Sequence, residues 1–165
     1  TDTYISVTDA STYVTDHYIT TEATAVAWAA LSDGNKAIVL RRAYTTLDRQ
    51  PFVGIKAVST QTQEFPRAIL SDLHRRDLPV LNVAFSSDWY VQTSVPDVVK
   101  YAQVEIALQL AVGTPKRVEL QRQGVKSFSL GKLSENYGGG TQNRIISQEA
   151  RELLAPYLAG SVAIV

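Results

Sequence analysis

Few residues in this chain have side chains that could do chemistry, and they are widely spaced. The sequence contains two histidines, His17 and His74, and no cysteine. Asp72 and Asp77 flank His74, but this grouping resembles a metal-ligand set only superficially, because two arginines directly follow the histidine and favour a solvated charged face. The other carboxylates occur singly, so no pair of general acid and general base is indicated. We therefore expect a protein that is not an enzyme and that has neither a metal nor a cofactor.

The motifs of nucleotide and hydrolytic chemistry are also missing from the sequence. The run Gly138–Gly140 leads into Thr141 and Gln142, without the lysine that a phosphate-binding loop requires. No GxSxG or HExxH motif occurs. The lack of cysteine excludes a disulfide framework, a thiolate nucleophile and a cysteine-ligated metal.

One basic stretch could instead contact a charged partner. Residues 117–123 and 125–130 alternate between apolar and polar side chains around Gly124, which predicts a β-hairpin. Its basic side chains could hold phosphates while an aromatic ring stacks on a base, and Tyr137 follows shortly afterwards. The same side chains could face the acidic helices of a neighbouring subunit, or simply be solvated. The hypothesised interface residues are Arg117, Arg122, Lys126, Phe128 and Lys132.

The charge of the chain is balanced overall but polarised along its length. Sixteen basic and sixteen acidic residues cancel, so no global field attracts nucleic acid or a membrane. Five acidic residues and no basic one precede Lys36, whereas the span from Lys116 to Lys132 holds five basic residues and one acidic residue. Two opposite patches suit a head-to-tail interface between copies, although two solvated faces would give the same pattern. No run approaches the roughly 18 apolar residues of a membrane span.

The element that must position everything else is a helix over residues 94–113. Pro96 belongs in a first helical turn, Asp97 complements the positive end of the helix dipole, and Gly113 with Pro115 ends the helix. Its apolar stripe is so wide that we expect it to be buried among other helices. The positions left polar are Lys100, Gln103, Glu105 and Gln109.

Shorter elements surround this central helix. We predict an extended segment at residues 3–6, a first helix capped by Thr8 with Asp9, a second helix over 21–31, and a third that ends before Pro51. Ser147 should cap a last helix. Between them we predict a loop over 51–63, a short helix over 68–74, and a surface excursion over 78–91 that is anchored by Phe85 and Trp89.

The fold class that follows is mainly α, a helical bundle around a central helix, with a β-hairpin extension and extended termini. Residues 1–115 and 147–158 form the helical core, residues 116–146 the extension, and residues 159–165 an apolar tail. That tail either packs on its own domain or inserts into a partner. The hypothesised docking residues at this end are Tyr157, Leu158, Val162, Ile164 and Val165.

Several short motifs, in the same order along the chain, resemble one family. It comprises small tailed-phage proteins that form the head-to-tail adaptor ring and are often labelled DnaT-like single-stranded DNA-binding proteins. The matching stretches are residues 4–10, 28–33, 40–48, 65–67, 95–102, 131–137 and 153–158. The resemblance implies a structural virion protein of the phage neck, made in the bacterial host cytoplasm.

By this resemblance the protein assembles into a ring, typically of twelve copies, between the portal protein and a downstream neck or tail protein. The ring would line the DNA exit channel, where the basic hairpin could contact packaged DNA without reading its sequence. The apolar tail would dock on the portal. The alternative function is that of a single-stranded DNA-binding accessory protein, as the family label proposes, and no membrane is involved in either.

Overall fold

A computed structural model describes residues 3–70, 89–113, 127–130, 133–136 and 147–159; in 127–130 and 133–136 it describes the backbone alone. This part of the chain is mainly helical, as predicted. The helices are α1 (Val7–His17), α2 (Ala23–Ala29), α3 (Asp33–Asp48), α4 (Asp97–Val112) and α5 (Gln148–Leu154), followed by a short 3-10 helix (Ala155–Tyr157). The strands are β1 (Ile55–Lys56), β2 (Arg67–Leu70), β3 (Trp89–Val91), β4 (Ser127–Leu130) and β5 (Leu133–Asn136).

Helix α4 is the centre of the bundle, as its apolar stripe predicted. Helices α2, α3 and α5 pack directly on it. Pro96 occupies the N-cap, one position before the first helical turn where it was predicted. Gly113 ends the helix with a positive φ of 94°, which glycine adopts without a steric penalty. Among the described residues, no helix has the length and apolar character that crossing a bilayer demands.

Serine is the N-cap residue of three of the helices. Ser32 Oγ accepts a hydrogen bond from the Asn35 N–H, and Ser147 Oγ accepts one from the Ala150 N–H, so the predicted cap of the last helix is confirmed. At α1 the predicted cap was wrong, because Ser6 rather than Thr8 is the N-cap residue. Ser6 Oγ accepts from the Asp9 N–H at 3.1 Å, which satisfies one of the N–H groups left unpaired at a helix start.

At residues 68–70, the described part of the short helix predicted over 68–74, the structure has a strand of a small antiparallel sheet instead. Strand β2 lies between β1 and β3, and its Ala68 and Ile69 are both buried. Pairing with β3, a strand distant in sequence, decides the conformation here, because an apolar run this short has no helical period of its own. The end of the predicted excursion, Trp89–Val91, is strand β3, whereas residues 71–88, with the other predicted anchor Phe85, lie outside the described part.

A hairpin is present within the predicted extension, but its described strands lie further along the chain than predicted, and residues 117–126 lie outside the described part. Ser127 pairs with Asn136 and Leu130 with Leu133, whereas the prediction centred the turn on Gly124. In sequence, two residues beginning with glycine separate the strands, a pattern typical of tight hairpins. Among the described elements β4 and β5 contact chiefly each other, not the helical bundle.

An aromatic cluster joins the two ends of the described chain. The Phe65 ring makes edge-on contacts with Tyr4, Phe52 and Tyr157, at centroid distances of 6.1, 4.8 and 5.4 Å. The segment after α5 is held there by its backbone, because Phe52 forms a β-bridge with Leu158 and the Ala159 N–H donates to the Pro51 carbonyl at 2.7 Å. The C-terminal segment therefore packs on the core through Tyr157 and Leu158 and is held by its backbone at Ala159, which is exposed.

Two glycines offer a matched test of this fold. Gly54 has φ +76°, and a Cβ there would lie 2.1 Å from the Ala68 carbonyl oxygen, whereas a Cβ on Gly34 in α3 would meet nothing within 4 Å. We expect Gly54→Ala to lower the free energy of unfolding by about 2 kcal/mol or more. Gly34→Ala should raise it by about 0.5 to 1 kcal/mol. Urea unfolding followed by circular dichroism measures both, and equal effects of the two changes would contradict the strand contact at Gly54.

Candidate functional site

Most of the predicted interface residues lie outside the part of the chain that the structure describes. Phe128 lies in β4, where its backbone pairs with Glu135. The four basic residues of the hypothesised hairpin interface lie outside the described residues, so their role stays a prediction: Arg117, Arg122, Lys126 and Lys132. The same is true of three residues of the hypothesised docking tail: Val162, Ile164 and Val165.

The other two residues of the predicted docking tail belong to the core. Tyr157 is 2% exposed and packs against Phe65. Leu158 is partly buried against the same core and pairs with Phe52. Presenting Tyr157 to a partner would break this packing, so its side chain is not available for docking in this fold.

A buried carboxylate ties α1 and the turn after it to the central helix. Glu105, one of the polar positions in the stripe of α4, is 2% exposed. Its Oε1 accepts from the Tyr13 hydroxyl at 2.8 Å, and its two oxygens accept from the Tyr18 hydroxyl at 2.8 and 2.7 Å. A buried carboxylate is tolerated only when such donors replace water. Nothing in the α4 pattern indicates this role, since the donors lie some ninety residues earlier in the chain.

The second buried polar residue of α4 is Gln103, which is fully buried. Its Oε1 accepts from the Tyr4 N–H at 2.9 Å, and its Nε2 donates to the Leu40 carbonyl at 2.9 Å. One amide thus joins the N-terminal segment, α3 and α4, and it satisfies the Tyr4 N–H, which lies outside any helix or strand.

The hydroxyl of Tyr4 extends this network towards the sheet. It donates to Asp48 at the end of α3 and accepts from the N–H groups of Glu64 and Phe65 at 3.1 and 3.2 Å. Asp48 Oδ1 also accepts from the Glu64 N–H at 3.0 Å. The loop before β2 is therefore fixed to α3 by polar contacts.

Arg67 is a structural arginine, not a candidate ligand-binding one. It is 5% exposed, and its guanidinium donates to the carbonyls of Phe52, Val53 and Gly54. It also forms an ion pair with Glu64. With its donors used inside the chain, this cation is not available to a phosphate.

The lysines of the described part, which are partly exposed, are also engaged. Lys36 pairs with Asp33 at 3.5 Å, Lys56 with Glu64 at 3.2 Å, and Lys100 with Asp97 at 2.7 Å. Each lysine therefore has a carboxylate competing with any anionic ligand, although exposed pairs of this kind are weak.

No reactive constellation is found in the residues that the structure covers. His17 stacks on Tyr13 at 4.1 Å and its Nδ1 lies 2.9 Å from the Tyr13 carbonyl oxygen. Within these residues no three metal-ligating side chains gather. An open groove of about 450 Å³ lies along α1 between Val7 and Asp16, but its Ser11, Thr12 and Thr15 hydroxyls donate to helix carbonyls. With Asp16 and Asp33 on its wall, it does not suit an anionic ligand.

Four tyrosines are held protonated by these surroundings. Burial, reinforced by the hydrogen bonds to Glu105, raises the pKa of Tyr13 and of Tyr18 well above the usual value. Burial and the bond to Asp48 likewise raise the pKa of Tyr4. Burial raises the pKa of Tyr157 to about 12.

We expect these tyrosines to lose their protons only at alkaline pH where the fold is failing. Their pKa values are higher folded than unfolded, so their contribution to stability is complete below about pH 10 and is lost as pH rises through the folded values. Phenolate absorbance should show a late fraction that ionises together with the loss of helical circular dichroism. Protein unfolded in guanidinium is the control, and ionisation of every tyrosine near pH 10 in still-folded protein would contradict the buried network.

Comparison with known proteins gives a family match. Neither a curated protein nor a solved structure matches the chain. A family match, in contrast, covers all of residues 1–165. On that match the chain belongs to the family described as "Putative DnaT-like ssDNA binding protein".

Proposed function

We propose that this protein is a non-catalytic, structural subunit of the tailed-phage neck. In this role copies form a ring, typically of twelve, that joins the portal protein to a downstream neck or tail protein and surrounds the DNA exit channel of the virion. Two observations support it. Motifs that resemble the adaptor family occur in the same order along the chain, and the buried polar groups of the described structure form hydrogen bonds that join its own elements.

The observation that carries this proposal is the β4–β5 hairpin. Its strands contact chiefly each other among the described elements, and a two-stranded hairpin alone is only marginally stable in water. Among the described residues β1 and β3 are the outer strands of the small sheet, and an outer strand is where a further strand can add. A hairpin from one copy that extends the sheet of the next copy would satisfy both and link neighbours in a ring.

A second candidate function is single-stranded DNA binding, and the description of the family favours it. The binding surface would be the basic hairpin, with Phe128 and Tyr137 stacking on bases and the arginines and lysines holding phosphates. This function predicts salt-dependent binding by the isolated protein and its loss on replacing either aromatic residue with alanine. It does not require a portal.

One experiment separates the two functions. The mass of the purified protein is measured in solution alone, with the cognate portal, and with an oligo(dT) strand, over a series of salt concentrations. We expect a closed ring on the portal and a smaller species without it. Tight, salt-sensitive binding of oligo(dT) without portal association would favour the second function and overturn the first. A portal from an unrelated phage serves as the control.

Deleting residues 160–165 tests the docking tail separately from the fold. Tyr157 and the Ala159 N–H contact with Pro51 remain in this variant, so we expect the free energy of unfolding to stay within about 0.5 kcal/mol of the full chain. Portal affinity should fall by about tenfold or more, since apolar anchors dominate interfaces of this kind. A variant with serine at each of these positions controls for length. Unchanged portal affinity would exclude the tail as the docking element.

A further inference from the structure

Three arginines share the solvent face of α3. Arg41, Arg42 and the C-cap residue Arg49 are all exposed. At 3.6 residues per turn, their positions and that of exposed Ile38 fall within an arc of about 100° around the helix axis. The opposite side of α3 buries Leu40, which packs into the core. The exposed face is therefore a single basic stripe, on a helix whose opposite side is packed into the core.

These arginines differ from the other cations of the described part. Within the described residues, none of the three forms an ion pair with a carboxylate, whereas Lys36, Lys56 and Lys100 each do. The acidic residues of α3 are engaged elsewhere: Asp33 pairs with Lys36, and Asp48 accepts from Tyr4 and from the Glu64 N–H. The stripe thus has a local positive charge that its own helix does not neutralise.

We propose that this stripe, Arg41, Arg42 and Arg49, binds the phosphodiester backbone of nucleic acid without reading its sequence. Guanidinium groups match phosphate oxygens in a bidentate way. Phosphate contacts from a rigid helix fix the position of a strand but carry no base information. No aromatic residue lies on this stripe, so it would hold the backbone while bases are contacted elsewhere or not at all. The inference rests on the proposed functions in one respect, that nucleic acid reaches the protein, as both require.

A polyanion suits this stripe better than a second copy of the chain does. Several exposed carboxylates of the described part already accept hydrogen bonds within their own chain: Asp9 from the Ser6 hydroxyl, Glu22 from the Ile19 N–H and Glu152 from the Gln148 amide. An acidic surface from another copy would therefore offer the arginines carboxylates that are already partly satisfied. A nucleic acid strand carries regularly spaced charges that need no such exchange.

The test compares two triple variants of the full-length protein that lose the same charge. One is Arg41→Ala/Arg42→Ala/Arg49→Ala, and the control is Lys36→Ala/Lys56→Ala/Lys100→Ala, which removes the ion-paired cations. Fluorescence anisotropy of a labelled oligo(dT) strand and of a labelled duplex is recorded over a potassium chloride series, with the protein alone and bound to the portal. Urea unfolding checks that both variants fold.

We expect the arginine variant to lose affinity and salt dependence together. With three phosphate contacts removed, the slope of log affinity against log salt should become shallower by about 2 for the single strand and by about 2.7 for the duplex. The lysine variant should keep most of the slope. A change with one probe and not with the other identifies which form of nucleic acid the stripe accepts.

The outcomes that overturn the inference are distinct from failure of the neck proposal. An unchanged slope in the arginine variant, an equal loss in the lysine variant, or a wild-type protein that binds neither probe in either form excludes phosphate binding by α3, while ring formation on the portal can still occur. An arginine variant that binds DNA normally but no longer forms the ring assigns the stripe to a subunit interface instead. Loss of DNA binding with a normal ring supports both proposals.

Discussion

The structure depends on two polar side chains buried in an otherwise apolar helix. Gln103 and Glu105 lie in α4 with almost no exposure, so each must find partners inside the protein. Their partners come from the N-terminal segment, from α1 and the turn after it, and from α3. Apolar packing alone would let these elements slide on the central helix. The hydrogen bonds specify one arrangement, because any shift leaves a buried carboxylate or amide unpaired.

The sequence allowed the helical framework to be predicted because its determinants are local. Ser147, Gly113 and the wide stripe of α4 each act within a few residues, and the structure confirms them. The predictions were wrong where distant segments decide the outcome. Strand β2 forms by pairing with β3, and Glu105 is buried because Tyr13 and Tyr18 donate to it. Such partners leave no periodic pattern in the segment itself.

The functional site was harder to predict from the sequence than the fold, because the charge of a residue does not show whether it supports the fold or binds a ligand. Arg67 and the exposed arginines of α3 are the same residue type, yet the first holds backbone carbonyls and the others face solvent. Tyr157 was similarly among the hypothesised docking residues, and its side chain is buried in the core. The basic hairpin residues remain a prediction. Only the burial and partners of a side chain decide whether it supports the fold or can serve a ligand.

The contacts between residues 51–65 and residues 157–159 also affect how the protein folds during synthesis. The Phe65 ring packs on Tyr157, Phe52 pairs with Leu158, and the Pro51 carbonyl accepts from the Ala159 N–H. The ribosome must therefore release the chain through Ala159 before the aromatic cluster can close, since contacts between residues so far apart in sequence form late. A chain that ends before Tyr157 would expose this cluster and be recognised by chaperones and proteases. Only chains translated through Ala159 would then complete the core.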